Sequence, residues 1–385
     1  MDTQPPPAVL GGTGHVEIDL GAIADNVREL ARVAEGAEVM AIVKADAYGH
    51  GAFPAARAAL AGGATWLGVA QLDEALALRA AGITAPLLTW LYAPGADLDA
   101  AILAGLDLSV SAPWSLDAVV AAARERGTRA RIHLKVDTGL TRGGALGSGW
   151  SALVDAAAAA HAAGHVEVVG VWSHFAYADA PAHPTVRAQQ EVFDDAVAEL
   201  GRAGLGDVRR HLANSAATLT NPAAHYDIVR PGLAVYGLSP IPDLATSSEL
   251  GLREAMRVLA RLVLVKDVPA GAGVSYGHTY HTASDTRVGL VPLGYADGLP
   301  RAASNAGPIL VGGRRLTVAG RVCMDQVVLD LGPGATDAVG DPVVIIGRAE
   351  DGEPTAQDWA DATGTISYEI VTRISSRLPR VYREP

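Results

Sequence analysis

Cysteine and basic residues are both scarce in this sequence. One cysteine in 385 residues allows neither an internal disulfide nor a multi-cysteine metal site. Lys and Arg total 30 against 42 Asp and Glu, which gives a net charge of -12. A chain this acidic has no general electrostatic attraction to nucleic acid or to anionic lipid. We therefore expect a protein of the reducing cytoplasm that binds neither nucleic acid nor membrane.

Long apolar runs are also absent. The Ala-rich run after Ser151 is interrupted by Asp155 and His161, so it is a poor candidate for a membrane span. About the first 14 residues carry neither a basic segment nor an apolar core, and we expect a loose arm rather than a signal peptide. Hydrophobic residues still make up 49% of the chain and charged residues 19%, which is enough for a full core.

Eight short apolar runs alternate with Ala-rich helical segments between about residues 15 and 235. The runs are 38–44, 65–70, 86–90, 106–110, 130–136, 166–173, 209–213 and 226–230. Ile23, Val27 and Leu30 recur at helical spacing before the first run. Eight strand–helix alternations favour a (β/α)8 TIM-type barrel, and a doubly wound open sheet is the competing architecture.

The pattern changes after about residue 250. Helical periodicity largely disappears, and Gly and Pro punctuate short apolar runs such as 308–313 and 327–332. One late helix is predicted over 355–363, with Thr355 as its cap. We therefore predict a barrel over residues 1–250 and a separate, mainly β C-terminal domain over 251–385.

Polar and cationic side chains follow the predicted strands at their carboxyl ends, where barrel enzymes place their chemistry. Lys44 ends the first run, Lys135 the fifth and Arg230 the eighth, and His174 follows the sixth. A lysine in a desolvated site has a lowered pKa and can form a Schiff base. A lysine that extends to solvent from a strand end is the commoner case for any single position.

The last two strand ends indicate a phosphate site. Asn214 and Ser215 follow the seventh run, and Gly232 follows the eighth. Phosphate sites of this barrel commonly lie in these two loops, although Ser215 alone could be a simple helix cap. A phosphate site together with Lys44 suggests either pyridoxal phosphate or a Schiff-base aldolase that acts on a sugar phosphate. Composition and spacing do not separate these two.

Nine motifs, in order from about Val16 to the end of the chain, resemble those of alanine racemases. They are AIVKADAYGHG (41–51), HLKVDTGLTRGG (133–144), VWSHFAYAD (171–179), NSAAT (214–218), VRPGLAVYG (229–237), VSYGHTY (274–280), GYADGLPR (294–301), GRVCMDQ (320–326) and TISYEI (365–370).

The resemblance implies a cytoplasmic homodimer that interconverts L-alanine and D-alanine and supplies D-alanine for peptidoglycan. It also implies a two-base mechanism on a pyridoxal 5'-phosphate aldimine, with active sites shared between the barrel of one subunit and the C-terminal domain of the other. Lys44 would hold the cofactor and exchange the α-proton of D-alanine. Tyr276 of the partner subunit would exchange that of L-alanine, with help from His174 and Arg142.

The resemblance also assigns binding roles. Arg230 would face the pyridine nitrogen, and because an arginine keeps its protons, that nitrogen would stay neutral. The substrate would be contacted by Arg142 and by Met324 of the partner subunit. Its entrance would be lined by Tyr295 of the partner subunit. The remaining cofactor residues would be Tyr48, His174, Asn214, Ser215, Gly232, Leu233 and Tyr368. No metal site is expected.

Lys135 presents a charge conflict, because two buried cations beside each other would cost several kcal/mol. In the alanine racemases that the sequence resembles, the corresponding lysine can be carbamylated by carbon dioxide, which turns the cation into an anion that holds Arg142. A lysine that bends to solvent is the competing interpretation.

Three other functions remain open on sequence grounds. A pyridoxal phosphate carrier usually lacks a β domain, whereas this chain has one. A decarboxylase of the same architecture would place an acidic group at the pyridine nitrogen, which Arg230 argues against. A racemase of broader specificity, acting on serine or a basic amino acid, would require an assay across amino acids to exclude.

Overall fold

A computed structural model describes residues 14–384 of the chain. Its first strand is β1 (Gly14–Asp19), and helix α1 (Leu20–Val33) follows directly. The described chain divides into two compact units. The barrel unit comprises Ile23–Ala47 and Gly51–Leu252, and the C-terminal unit comprises 14–22, Tyr48–His50 and 253–384.

This division differs at the amino terminus from the one predicted from sequence. The barrel was predicted over residues 1–250, whereas β1 pairs with strands of the C-terminal unit. Of the predicted loose arm, residues 1–13 lie outside the described residues, and Gly14 already belongs to β1. None of the helices in residues 14–384 is long and apolar enough to cross a membrane.

The barrel unit contains one parallel eight-stranded sheet within the described residues. Its strands are β2 (Glu38–Ile42), β3 (Trp66–Gln71), β4 (Leu87–Leu91), β5 (Asp107–Val110), β6 (Ala130–Lys135), β7 (Val166–Trp172), β8 (Arg209–His211) and β9 (Ile228–Val229). The order is β8-β7-β6-β5-β4-β3-β2-β9. The two edges meet just beyond β8 and β9, where Arg230 N donates to Ala213 O at 2.8 Å. Each strand matches one of the eight apolar runs, and the predicted barrel is confirmed.

Helices separate successive strands of the barrel. They are α2 (Lys44–Gly49), α3 (Ala52–Ala61), α4 (Leu72–Ala80), α5 (Leu98–Leu103), α6 (Pro113–Arg126), α7 (Ser148–Ala162), α8 (Pro184–Arg202) and α9 (Ser215–Thr220). Their apolar faces are buried, as the helical spacing of Ile23, Val27 and Leu30 predicts for α1. The alternation therefore buries both faces of the sheet and leaves the strand ends to carry polar groups.

The C-terminal unit is rich in short strands. They are β10 (Met256–Arg261), β11 (Leu264–Val268), β12 (Gly273–Val274), β13 (Tyr280–His281), β14 (Thr286–Val291), β15 (Pro308–Val311), β16 (Arg314–Thr317), β17 (Val327–Gly332), β18 (Pro342–Ile346) and β19 (Arg380–Arg383). Six strands form a sheet in the order β16-β15-β18-β10-β1-β19, and β11-β14-β17 form a smaller one.

This unit is not entirely β. It contains helices α10 (Ala356–Thr363) and α11 (Ser367–Thr372). Thr355 caps α10 as its sequence predicts, because its Oγ1 accepts a hydrogen bond from Asp358 N at 3.1 Å. Helix α11 was not predicted, and it is the element that carries Tyr368.

Candidate active site

Lys44 lies just beyond β2 and opens α2, a short helical segment that is wound in the left-handed direction. The four residues 45–48 all have φ between +52° and +55°, the left-handed region. L-residues with side chains rarely occupy this region in succession, because each costs about 1–2 kcal/mol. Such strain persists only where the surroundings hold it, and it is concentrated at functional sites.

Two acidic side chains hold this turn. Glu74, in the first turn of α4, accepts a hydrogen bond from Ala45 N at 2.5 Å. Its second oxygen accepts from Gln71 N at 2.9 Å, so one carboxylate joins the Lys44 turn to the start of α4. Asp46 Oδ1 accepts from Ala52 N at 2.7 Å on the other side of the turn. The backbone that carries Lys44 is therefore fixed from two directions.

The environment of Lys44 favours a neutral amine. Burial lowers its pKa most, and the positive charge of Arg142 lowers it further, while Glu74 opposes both. The amine also lies 6.0 Å from the centre of the Trp90 ring. A lysine with a lowered pKa is a better nucleophile at neutral pH, which is the property that Schiff-base chemistry requires.

Lys135 lies at the end of β6 among other cations. Burial, Arg142 and Arg230 together lower its pKa to about 8, although Asp137 acts in the opposite direction. Its Nζ sits 4.3 Å from the centre of the Trp172 ring, a cation–π distance. The amine therefore points into the barrel unit and does not bend to solvent.

Arg230 is buried and donates only to neutral acceptors. Its Nη2 donates to Ser173 O at 2.7 Å, Leu212 O at 3.2 Å and His174 Nδ1 at 3.4 Å. Among the described residues no carboxylate lies within ion-pair distance of it, so its charge is not neutralised by a partner in the chain. Burial lowers its pKa, but a guanidinium still stays protonated at neutral pH.

His174 is held in its neutral form. Burial lowers its pKa well below the ordinary value, and the charges of Arg230, Arg142, Lys135 and Lys44 act in the same direction. Because Arg230 can only donate, His174 Nδ1 is the acceptor and its proton lies on Nε2. We call Lys44, Lys135, Arg142 and Arg230 the cationic cluster, and His174 lies within its field.

Ser215 occupies the predicted phosphate site, but the backbone there is not bare. Its Oγ accepts from Gly232 N at 2.8 Å and from Ala234 N at 3.3 Å. Asn214 caps α9 by accepting from Ala217 N at 3.1 Å, and Leu233 opens the next single helical turn. Both acceptor positions of the Ser215 hydroxyl are used, so its proton is what it can offer to an anion.

This donor set fits pyridoxal phosphate. The barrel unit offers a hydroxyl donor at Ser215 for the phosphate, a desolvated amine at Lys44 for the aldehyde and a guanidinium at Arg230 for the ring nitrogen. An aldolase for a sugar phosphate would need the first two groups, but it gives no reason for a buried arginine without a carboxylate.

Tyr48 and Tyr368 pair within the C-terminal unit. Their ring centres are 6.1 Å apart at an interplanar angle of 46°. Burial raises the pKa of Tyr48 above the ordinary range, and Tyr368 adds to the effect. The Tyr48 hydroxyl therefore keeps its proton and can serve as a hydrogen-bond donor.

Tyr276, Tyr295 and Met324 form a second group in the C-terminal unit, which we call the exposed cluster. They are 70%, 39% and 53% exposed. Tyr295 N donates to Cys323 O at 3.0 Å, which joins the two segments that carry Tyr295 and Met324. Ser275 Oγ donates to Arg321 O at 2.7 Å, which joins the Tyr276 segment to the same loop.

The predicted site residues thus fall into two sets. The barrel unit brings together Lys44, Lys135, Arg142, His174, Asn214, Ser215, Arg230, Gly232 and Leu233. The C-terminal unit holds Tyr48, Tyr276, Tyr295, Met324 and Tyr368. Sequence reasoning missed Glu74, although the spacing of Gln71 and Glu74 at the start of α4 is a capping signal. It also missed the left-handed turn, for which the residues 45–48 give no signal.

Two family models match the chain in succession. The alanine racemase N-terminal domain matches residues 18–240, and the alanine racemase C-terminal domain matches residues 255–382. The chain belongs to the alanine racemase family. Racemases are isomerases, so the sequence-based identification of an isomerase with this two-domain architecture is confirmed.

Known members of the alanine racemase family are similar to the chain over nearly its whole length. The alanine racemase of Beutenbergia cavernae is 60% identical over 365 residues, covering 95% of this chain and 96% of the relative. That of Salinispora arenicola is 59% identical, covering 95% and 97%. The crystal structure of alanine racemase from D-cycloserine producing Streptomyces lavendulae matches with a TM-score of 0.95 and 54% identity, covering 99% of this chain and 98% of that one.

Proposed function

We propose that the protein interconverts L-alanine and D-alanine with pyridoxal 5'-phosphate as its cofactor, as a cytoplasmic homodimer with shared active sites that supplies D-alanine for peptidoglycan. The observation that carries the proposal is the partly buried Lys44 amine in a cluster where Arg230 has no carboxylate partner among the described residues. Membership in the alanine racemase family supports the same substrate.

When bound, pyridoxal phosphate withdraws electrons from Cα of the amino acid and so acidifies the α-proton. Lys44 Nζ holds the cofactor and moves a proton at one face of Cα, the face from which D-alanine loses its proton. The lowered pKa of Lys44 suits this role, because a general base works best when its pKa lies near the operating pH.

The opposite face needs its own acid–base group. Tyr276 of the partner subunit takes that role through its hydroxyl, and the exposure of this tyrosine supports it, since the group must be offered to another surface. Arg142 binds the substrate carboxylate together with the backbone N–H of Met324 from the partner subunit. Tyr295 of the partner subunit lines the entrance.

Arg230 influences the reaction because its guanidinium keeps its protons. Its guanidinium would lie against the ring nitrogen and give up no proton, so that nitrogen would stay neutral. A neutral ring nitrogen would weaken the electron withdrawal that the bound cofactor supplies at Cα, which would limit side reactions. His174 would lie beside the ring. The phosphate would be held by Tyr48, Ser215, Gly232, Leu233 and Tyr368, with Asn214 fixing the loop.

Lys135 is proposed to carry a carbamate. A buried amine with a pKa of about 8 is substantially neutral under mildly alkaline conditions, and the neutral amine is the form that attacks carbon dioxide. The new N–C bond releases one proton and leaves one negative charge, which would offset the positive charges of Arg142 and Arg230.

Two measurements on the purified protein test the proposal. Conversion of each alanine enantiomer to the other is compared with conversion of serine, and alanine is expected to be the faster substrate in both directions. Borohydride reduction in the presence of pyridoxal phosphate, followed by peptide mapping, should mark Lys44. The chain has only two other lysines, Lys135 and Lys266, and a mark on either would contradict the assignment.

A further inference from the structure

A line of buried polar side chains crosses the interior of the barrel from Arg230 to Asp107. Arg230 Nη1 lies 3.5 Å from His211 Nδ1, and His211 Nε2 lies 2.8 Å from His133 Nδ1. His133 Nε2 lies 3.2 Å from Asp107 Oδ2. Both histidines are fully buried, and Asp107 is 1% exposed. The line therefore runs without solvent from the end of β9 to the start of β5.

The donors and acceptors along this line determine which ring nitrogen of each neutral histidine carries the proton. Arginine can only donate, so His211 Nδ1 accepts and the proton of a neutral His211 lies on Nε2. His211 then donates to His133 Nδ1, which leaves the proton of His133 on Nε2 to reach Asp107. Burial lowers the pKa of His211 well below the ordinary value, and the positive charge of Arg230 acts in the same direction, which keeps this ring neutral.

The far end of the line is anchored by a second arginine. Arg131 Nε donates to Asp107 Oδ1 at 2.5 Å, and its Nη2 donates to Oδ2 at 3.2 Å. Burial by itself would raise the pKa of Asp107, but His133 and Arg131 outweigh it and hold the pKa below the ordinary value. Asp107 is therefore an anion that accepts from both neighbours.

The two histidine rings pack against a glycine and two tryptophan rings. Gly170 in β7 lies between β6 and β8, and a Cβ there would come within 2.5 Å of His133 Nδ1. The Trp172 ring stacks on His211 at 5.9 Å with an interplanar angle of 3°, and Trp66 meets His133 edge-on at 5.6 Å. The absent side chain at Gly170 is what lets the two imidazoles meet across a strand.

We propose that Asp107, His133 and His211 form a directional hydrogen-bond relay that positions the Arg230 guanidinium. The inference rests on the proposed function, in which Arg230 faces the ring nitrogen of the cofactor. The three residues touch neither cofactor nor substrate in this account and act through Arg230. The relay gives His211 an acceptor nitrogen toward Arg230, so the guanidinium is held in one orientation while its charge remains unpaired.

The protonation pattern itself is the direct test. The full-length protein is labelled with ¹⁵N in its histidine rings, and the ring nitrogens are observed by NMR with and without pyridoxal phosphate. His133→Gln and His211→Gln variants assign the two rings. The relay predicts that both rings are neutral with the proton on Nε2. A proton on Nδ1 of either ring, or a doubly protonated His133, would overturn it.

Asp107→Asn reverses the direction of the relay. The shorter of the two Arg131 contacts, from Nε, keeps an oxygen at the Oδ1 position, so the amide NH2 replaces Oδ2, gives up the longer contact with Arg131 Nη2 and faces His133. His133 would then carry its proton on Nδ1, and His211 would present an N–H to Arg230. We expect both rings to change tautomer and kcat for alanine to fall about 10- to 100-fold with a smaller change in KM, as for a displaced catalytic group.

Asp227→Asn is the matched control, because Asp227 also pairs with an arginine of the barrel, Arg210 at 2.8 Å, but contacts no histidine of the relay. It should change neither tautomer.

Gly170→Ala provides a second variant, which should separate the two rings and lower kcat in the same way. Unchanged tautomers in Asp107→Asn would overturn the relay. Failure of the proposed function is distinguishable, since the wild-type protein would then show the relay pattern but no racemisation.

Discussion

The barrel unit and the C-terminal unit present their candidate functional residues in opposite ways. In the barrel, burial is the largest influence on the pKa values of Lys44, His174 and Arg230, and the cationic cluster adds to it for the first two. In the C-terminal unit, Tyr276 is 70% exposed. The pKa values of the barrel residues are thus already shifted by their own unit, whereas the side chains of the exposed cluster are largely open to solvent.

Lys44→Ala should give the largest loss, because it removes both the amine that holds the cofactor and one acid–base group. We expect a fall in kcat of at least about 10⁴-fold in both directions. Lys266→Ala is the control, since Lys266 is an exposed lysine of the C-terminal unit. A Lys44→Ala enzyme that retains a tenth of the wild-type rate would contradict the role of this residue.

Tyr276→Phe should lower kcat by about 10²- to 10⁴-fold, the usual contribution of a general acid–base group. Because the side chain is 70% exposed, the free energy of unfolding should change by less than about 0.5 kcal/mol. Tyr177→Phe is the matched control, an exposed tyrosine of the barrel unit. A comparable kcat loss in the control, or none in Tyr276→Phe, would remove the distinction between the two units.

Gly294→Ala should disturb the exposed cluster through its backbone. A Cβ at Gly294 would meet Cys323 O and would lie 2.5 Å from Met324 O, so the segments of Tyr295 and Met324 must separate. We expect KM for alanine to rise and the protein to lose about 1–3 kcal/mol of stability in chemical denaturation. Gly201→Ala, inside α8 where a Cβ meets nothing within 4 Å, should leave KM unchanged and should not lower the stability.

The smallest expected effect concerns Lys135. Its pKa is about 8 in the folded protein against an ordinary value of 10.5. Between these pH values the unfolded chain binds more protons than the folded one, so the free energy of unfolding rises with pH. Urea denaturation in buffer freed of carbon dioxide should show this rise, and Lys135→Met should lessen it. An equal rise in both proteins would show that Lys135 is not desolvated.

The sequence predicts the barrel well because burial on both faces imposes continuous apolar strands. It also predicts Thr355 as a cap, since that rule depends on residues three apart. The place of β1 in the C-terminal sheet was not predictable, because its partners β10 and β19 lie more than 230 residues away. Local pattern holds no information about such pairings.

The sequence singles out candidate site residues but not the contacts that support them. The positions of Lys44 and Arg230 at strand ends indicate a function in the sequence. The left-handed turn at 45–48 depends on Glu74, which lies on another helix, and propensity favours no such turn for Ala, Asp and Tyr. The contact of His133 with His211 depends on the missing side chain of Gly170 on the strand between them.

In the proposed function, the two kinds of region act together across two subunits. Lys44→Ala and Tyr276→Phe proteins, each inactive or nearly so alone, are mixed in equal amounts and allowed to exchange subunits. About half of the dimers should then combine one subunit of each kind, and one of their two sites has both an intact Lys44 and an intact Tyr276. Recovery of about a quarter of wild-type activity is expected, because one of two sites is intact in half of the dimers. A mixture that stays inactive, although mass spectrometry shows mixed dimers, would contradict it.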